Sequence, residues 1–425
     1  MIPAEPTGPG VPAGPGLPPV SPGPPGQTSP PPDTELAELA GAELEPDEEA
    51  APVPDPEVAG AVLAPVVSSA VGTPLLTVED LRSYLATGHG VVRAVDGVSF
   101  TLAQAEVLGI VGESGCGKSV TCRTIMGLLP KGLAHSSGRV IYHPRGEGSL
   151  LDASQDQWQA LRGSQLAMIF QDPMTALNPV LTVGEQLLEA VNAHAKLRRD
   201  AARARAVELL RRVGIPAPQR RMRDYPFQFS GGMLQRALIA IALASSPRLL
   251  LADEPTTSLD VIIQDQILSL LLELQQDTGM SMILVSHDLA VITEVCDRII
   301  VMYAGQVVEE GRAAAIITEP RHPYTRALLG ALPQAGHQGE LLSIPGHPPS
   351  LIDPPAGCRF APRCPLVTDK CLTWETELLS TGGDGHLARC WRHEEVARQG
   401  PATQGTVPQN TGPENTGQQI TEVHE

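Results

Sequence analysis

At 425 residues and a net charge of −18, the chain has room for about two or three domains. The charge is unevenly spread: residues 1–72 hold no Lys or Arg, acids cluster between Glu35 and Glu57, and the residues after Arg398 are again acidic without Lys or Arg. The middle is therefore nearer neutral and offers no basic field for nucleic acid, while prolines break every early apolar stretch and no apolar run reaches the roughly eighteen residues a membrane span needs.

In chain order, residues 1–72 are Pro/Gly/Ala-rich with an acidic middle and read as a disordered extension. From Thr73, Leu75-Leu76-Thr77-Val78 and Val98-Ser99-Phe100-Thr101-Leu102 alternate as half-buried strands do, with a turn at Gly88-His89-Gly90. Val107–Val111 is a buried strand that runs into Gly112-Glu113-Ser114-Gly115-Cys116-Gly117-Lys118-Ser119, and a helix is expected from Val120 to Leu129. Strand, glycine-rich turn, Lys-Ser and helix predict a phosphate-binding loop, with the nucleotide stretch running from Gly112 to Val120. The glycines let successive N–H groups turn inward on a polyphosphate, and the helix N-terminus adds partial positive charge there. Lys118 is expected at the β/γ-phosphates and the Ser119 hydroxyl on Mg²⁺. Cys116 contributes its backbone, and its thiol is a candidate for oxidation or alkylation.

Leu166–Phe170 is a further apolar strand ending at Gln171-Asp172-Pro173. Residues from about Met174 to Leu243 look helical, broken by Pro216, Pro218 and Pro226. Arg248–Ala252 delivers Asp253-Glu254-Pro255, and an apolar face from Ile262 to Leu274 marks a long helix. Met282–Val285 ends in Ser286-His287-Asp288, and Arg298–Tyr303 with Gln306–Val308 reads as a hairpin. Strands alternating with helices, with polar residues at the strand ends, imply an α/β sheet whose ligand lies at those ends. Two acids at one strand end suit two tasks: Asp253 holds Mg²⁺ and Glu254 acts as general base toward water. Gln171 fits Mg²⁺ or the attacking water, and His287 the γ-phosphate. Ser230-Gly231-Gly232, opening a helix just before the Asp-Glu strand, forms a second anion site. One nucleotide does not need both from one chain, so this loop is expected to face the ATP of a partner subunit.

The set formed by the phosphate loop, Gln171, Ser230-Gly231-Gly232, Asp253-Glu254, Ser258-Leu259-Asp260 and His287 resembles the ATP-binding cassette (ABC) ATPases over about Leu75 to Ala331. Ile169 through Pro179, Met302-Tyr303-Ala304-Gly305, His322-Pro323-Tyr324-Thr325 and Arg359 through Cys364-Pro365 look like the oligopeptide/dipeptide importer branch. The resemblance implies a P-loop cassette at 73–331 with a β-rich antiparallel part and a helical subdomain at about 172–245 that grips a permease. It also implies a Cys-rich segment at 332–398, a disordered tail at 399–425, and a loop at Asp260 that communicates across a cassette dimer. The partners implied are a second, non-identical ATPase subunit, two membrane permease subunits and an extracytoplasmic peptide-binding protein, with this chain peripheral at the cytoplasmic face of the membrane. A nickel or other small-solute importer is the alternative cargo reading, and a soluble ABC ATPase outside transport the less favoured one. Family members stack an aromatic ring on adenine at the end of the first strand; Leu85 falls in that slot, with Tyr84 one place earlier as the candidate.

Cys358, Cys364, Cys371 and Cys390 sit together with gaps of five, six and eighteen residues. In a chain without an export signal, such a group reads as a metal site before it reads as disulfides. Four thiolates suit a [4Fe–4S] cluster or tetrahedral Zn²⁺. The short paired spacing that zinc favours is absent, and some members of the resembled branch carry an iron–sulfur cluster here.

Overall fold

The computed structural model describes residues 72–257, 259–332, 344–374, 376–382 and 385–400. The disorder expected before residue 72 and beyond residue 400 lies outside them, as does Ser258. Gly400, expected in the tail, is held to the cassette: Arg326 Nε donates to its carbonyl at 3.0 Å.

The strands in chain order are β1 (Pro74–Thr87), β2 (Gly90–Ala103), β3 (Val107–Val111), β4 (Ala134–Tyr142), β5 (Leu166–Ile169), β6 (Leu249–Asp253), β7 (Ser281–Ser286), β8 (Arg298–Tyr303), β9 (Gln306–Arg312), β10 (Leu379–Ser380) and β11 (Leu387–Ala388). They form an antiparallel sheet in the order β2-β1-β4 and a larger sheet in the order β10-β11-β9-β8-β3-β7-β6-β5. The centre of the larger sheet, from β8 through β3, β7 and β6 to β5, is parallel. The β8–β9 hairpin and the β10–β11 pair extend it antiparallel. The expected α/β fold with a β-rich antiparallel part is therefore present. The first two strands are longer than their alternating stretches, and β4 carries no sequence signal because only its last three residues are buried.

The central strands are buried on both faces, which explains their unbroken apolar runs. Along β3, Val107 and Val111 face one core with the helices, while Leu108 and Ile110 face the other with the antiparallel sheet. On the helical side lie Val183–His194, Arg199–Arg212 and Gly231–Ala242, inside the stretch expected to be helical. Thr182 caps the first of these with a full capping box to Glu185.

The turn after β3 is pinned by backbone. Gly117 has φ +103°, and a Cβ there would meet the Ala94 carbonyl oxygen at 2.1 Å; a Cβ on Gly112 would meet the Met302 carbonyl oxygen at 2.2 Å. Gly305 N donates to Cys116 O at 2.9 Å and its carbonyl accepts from Asp96 N at 2.8 Å, tying the loop to β2 and to the β8–β9 turn. Gly117→Ala should cost about 3 kcal/mol through its left-handed backbone and this backbone clash. At roughly 2–4 °C per kcal/mol, thermal unfolding should show a midpoint lower by about 6–12 °C, and an unchanged midpoint would contradict the close approach.

Candidate functional site

The expected strand-end site is assembled at the C-terminal ends of β3, β5, β6 and β7. The Gly112–Ser119 loop leaves β3 and delivers Lys118 and Ser119 at the start of the helix Lys118–Ile125. Lys118 is 4% exposed, and its Nζ donates to the carbonyls of Gly112 at 2.9 Å and Glu113 at 3.2 Å. The ammonium therefore lies curled within the loop. Ser119 donates its hydroxyl to Asp253 Oδ1 at 2.8 Å. Asp253 is fully buried, its Oδ2 has no hydrogen-bond partner among the described residues, and burial pushes its carboxyl up. An orphaned carboxylate oxygen beside a serine hydroxyl fits a hydrated Mg²⁺, which takes one or two protein oxygens and keeps its remaining shell of water and phosphate.

Glu254 is the hub. Its Oε1 is 3.7 Å from Lys118 Nζ; its Oε2 accepts from Thr257 Oγ1 at 2.8 Å and Gln171 Nε2 at 3.4 Å and lies 3.2 Å from His287 Nδ1. Burial pushes this carboxyl up, but His287, Thr257 and Lys118 outweigh it and hold the group below the usual range. It is ionised at neutral pH. Its backbone sits at φ +46°, an uncommon conformation for a non-glycine residue, and its N–H is fixed on Val285 O at 3.1 Å. The hydrogen bond to Glu254 raises the His287 imidazole, against partial burial.

Of the residues expected at the nucleotide, Lys118, Ser119, Asp253, Glu254, Gln171 and His287 are brought together. The glycines, Glu113, Ser114, Cys116 and Val120 form their frame. Thr257, unremarked in the sequence, belongs to the group through Glu254. Cys116 is buried and burial raises its thiol, so the expected reactivity there is corrected: the sulfur packs near Gly112 and is shielded. Tyr84 has other partners than an adenine. Its hydroxyl donates to Asp96 Oδ1 at 2.7 Å, and the Arg93 guanidinium lies over its ring at 6.0 Å. Leu85 is buried in the core.

Ser230-Gly231-Gly232 is a separate surface. Ser230 caps the helix Gly231–Ala242 through Met233 N, and it and Gly231 are exposed. A Cβ on Gly232 would meet Ile263 Cγ2 at 2.7 Å, so the loop packs beside Asp260, which caps the helix Val261–Thr278.

The four C-terminal cysteines line one pocket with Arg389, Trp391, Arg392 and Phe360. All are free thiols. Burial pushes Cys364 and Cys390 up to about 12, whereas hydrogen bonds from Thr368 and Trp391 outweigh burial and lower Cys371. Among the described residues no three His, Cys, Asp or Glu side chains converge closely enough to hold a single metal ion. The thiols share a pocket without meeting at a point.

Comparison with known proteins agrees with this geometry. The profile of the ABC transporter family matches residues 95–257, and that of the oligopeptide/dipeptide transporter C-terminal region matches residues 308–371. A probable peptide ABC transporter ATP-binding protein of Sinorhizobium fredii is 49% identical over 76% of this chain and 96% of its own length. This chain belongs to the ABC transporter ATP-binding proteins. The dipeptide transport ATP-binding proteins DppD of Bacillus subtilis and Escherichia coli are 48% and 49% identical, over 76% and 74% of this chain and 96% of each relative. Among solved structures, the ABC cassette MJ0796, in a dimeric post-hydrolysis state bound to ADP and Pi, aligns with a TM-score of 0.50 at 28% identity, over 56% of this chain and 98% of its own. No helix among the described residues of this ABC protein is long and apolar enough to cross a membrane.

The Glu254–His287 pair has a testable sign. A raised imidazole pKa means that the pair's stabilisation is full below the ordinary value and is lost as pH rises through the raised one. In an NMR titration His287 should titrate above the ordinary value of about 6.5 and return toward it in Glu254→Gln. A midpoint unmoved by that substitution would show that the pair is not formed in solution.

Proposed function

We propose that this chain is the ATP-hydrolysing subunit of an importer for dipeptides or oligopeptides. It would work beneath partner permeases at the cytoplasmic face of the membrane, supplied by an extracytoplasmic peptide-binding protein. The observation that carries the reading is the meeting of Lys118, Ser119, Asp253, Glu254, Gln171 and His287 at one set of strand ends. It is joined by the near-full-length likeness to peptide-transport ATP-binding proteins.

On this reading Lys118 leaves the carbonyls of Gly112 and Glu113 and turns to the β/γ-phosphates, exchanging two neutral acceptors for anionic ones. Ser119 and Asp253, together with Gln171, would hold Mg²⁺, which when bound would offset the negative charge of the phosphates. Glu254, ionised and steered by Thr257, Gln171 and His287, takes the proton of the attacking water. His287, half-exposed at the rim, orients Glu254 and donates toward the γ-phosphate. The Ser230 loop and the neighbouring Asp260 face a second cassette, expected to be a different chain, so that each nucleotide is enclosed by both. Differential binding of ATP to the closed pair is then the source of the permease's conformational change.

For the cysteine pocket we favour a [4Fe–4S] cluster over Zn²⁺. Support comes from four thiols around one pocket and from the half-buried Arg389 beside them, whose side chain donates to the neutral carbonyls of Val307 and Thr376 and would offset the charge of an anionic cluster. Trp391 Nε1, 3.3 Å from Cys371 Sγ, would donate to a ligating sulfur.

Two outcomes are expected. Glu254→Gln should lower steady-state ATPase activity by at least about 100-fold while ATP binding persists; turnover at the normal rate would remove Glu254 as the base. Anaerobically purified protein should contain equal amounts of iron and acid-labile sulfide, lost in Cys371→Ser, whereas stoichiometric zinc without sulfide would overturn the cluster assignment.

A further inference from the structure

Two stretches singled out in the sequence, His322-Pro323-Tyr324-Thr325 and Arg359 through Cys364-Pro365, have no part in the nucleotide chemistry above. Both converge on Glu113, the second residue of the phosphate loop. Arg363 clasps the Glu113 carboxylate with both ends of its guanidinium, Nη1 to Oε2 at 2.7 Å and Nη2 to Oε1 at 2.9 Å. Behind it, Arg363 Nε donates to Pro345 O at 2.8 Å, and the guanidinium lies over the rings of Tyr303 and Phe360 at 5.8 and 6.0 Å. The arginine side chain is 5% exposed and that of Glu113 25%. From the other stretch, the Tyr324 hydroxyl accepts the Glu113 N–H at 2.9 Å. Tyr324 is held in turn by ring contacts with Tyr303 and Phe360.

The turn that carries Arg363 is closed by Ala361 N to Cys358 O at 2.9 Å and Arg363 N to Phe360 O at 2.9 Å. Cys358 and Cys364, at its two ends, line the cysteine pocket. Arg359 and Arg363, each next to a cysteine, reach out of the turn to the cassette: Arg359 to Asp96 and the Ala304 carbonyl, Arg363 to Glu113. One side of the turn is thiol and the other is guanidinium.

A carboxylate on a loop that receives a polyphosphate repels the ligand unless its charge is met, and a bidentate guanidinium meets it with fixed geometry. We propose that Arg363 is a positioning residue for ATP binding. It neutralises and immobilises Glu113, so the cysteine-lined C-terminal segment sets the affinity of the phosphate loop for nucleotide. This rests on the reading of Gly112–Ser119 as the ATP site.

The test is equilibrium binding of a fluorescent ATP analogue with Mg²⁺ to the full chain and to Arg363→Gln, Arg363→Lys and the double variant Glu113→Gln/Arg363→Gln. Arg363→Gln should raise the dissociation constant about tenfold, the scale of one charge-assisted contact. Arg363→Lys, which keeps the charge and loses the fork, should fall between it and the parent chain. The double variant should bind more tightly than Arg363→Gln alone, because the unmet carboxylate is gone; a merely structural arginine would give no such recovery. Parent-like affinity in both single variants, or a double variant as weak as Arg363→Gln, overturns the proposal. Should Arg363→Gln fail to fold, parent-like affinity in Arg363→Lys overturns it alone. A parent chain that does not bind the analogue overturns instead the reading of the loop as an ATP site.

Discussion

The closeness of the phosphate loop to the backbone on either side of it governs the rest of the molecule. Gly112 and Gly117 sit where a Cβ would come within 2.2 Å of carbonyl oxygens on β8 and β2. Those oxygens belong to Met302 and Ala94, so the loop is set between the two sheets. The Gly305 turn completes the clasp through Cys116 and Asp96. Lys118 and Ser119 reach Glu254 and Asp253 because this backbone sandwich fixes where the helix Lys118–Ile125 begins. The loop backbone is held from both sides, in keeping with a site whose task is to orient phosphates.

Much of this was legible in the residues. β3, β6 and β7 are buried on both faces, so each is an unbroken apolar run, and each ends in the polar groups that form the site. The glycine spacing marks the loop because no other residue type tolerates those contacts. β4 was not legible: it lies at the edge of the smaller sheet, pairing with β1 alone, and six of its nine residues are only partly buried or exposed. The Glu113–Arg363 pair was hidden for another reason. Its members stand 250 positions apart, and no local pattern reports a contact between a loop glutamate and an arginine beside a distant cysteine. The hydrogen bond from the Tyr84 hydroxyl to Asp96 was hidden in the same way, since it joins residues of two neighbouring strands.

Charge is economically placed around the C-terminal segment. Asp96 receives Arg82, Arg359 and the Tyr84 hydroxyl together. Burial alone would raise its carboxyl, but these partners hold it below the usual range. Arg298 is likewise set between Glu106 and Glu310. Buried ions of this sort contribute little net stability but make removal of either partner strongly destabilising. They act as registration marks, Arg359 on Asp96 fixing the C-terminal segment against the cassette and Arg298 fixing β8 against β9.

The small β10–β11 pair has a meaning beyond its four residues. β9 would otherwise end the larger sheet with a free row of N–H and C=O groups, along a strand whose residues 307–311 are buried. Leu387 and Ala388 pair with Glu310 and Glu309 of that strand, and Glu309 also holds His386 and the backbone of Arg321 and His322. An uncovered edge is a template for pairing with another chain. During synthesis that edge stays open from the completion of β9 until Leu387 and Ala388 follow, so over that interval the nascent cassette carries an adhesive border, which the short β11 then covers at two positions.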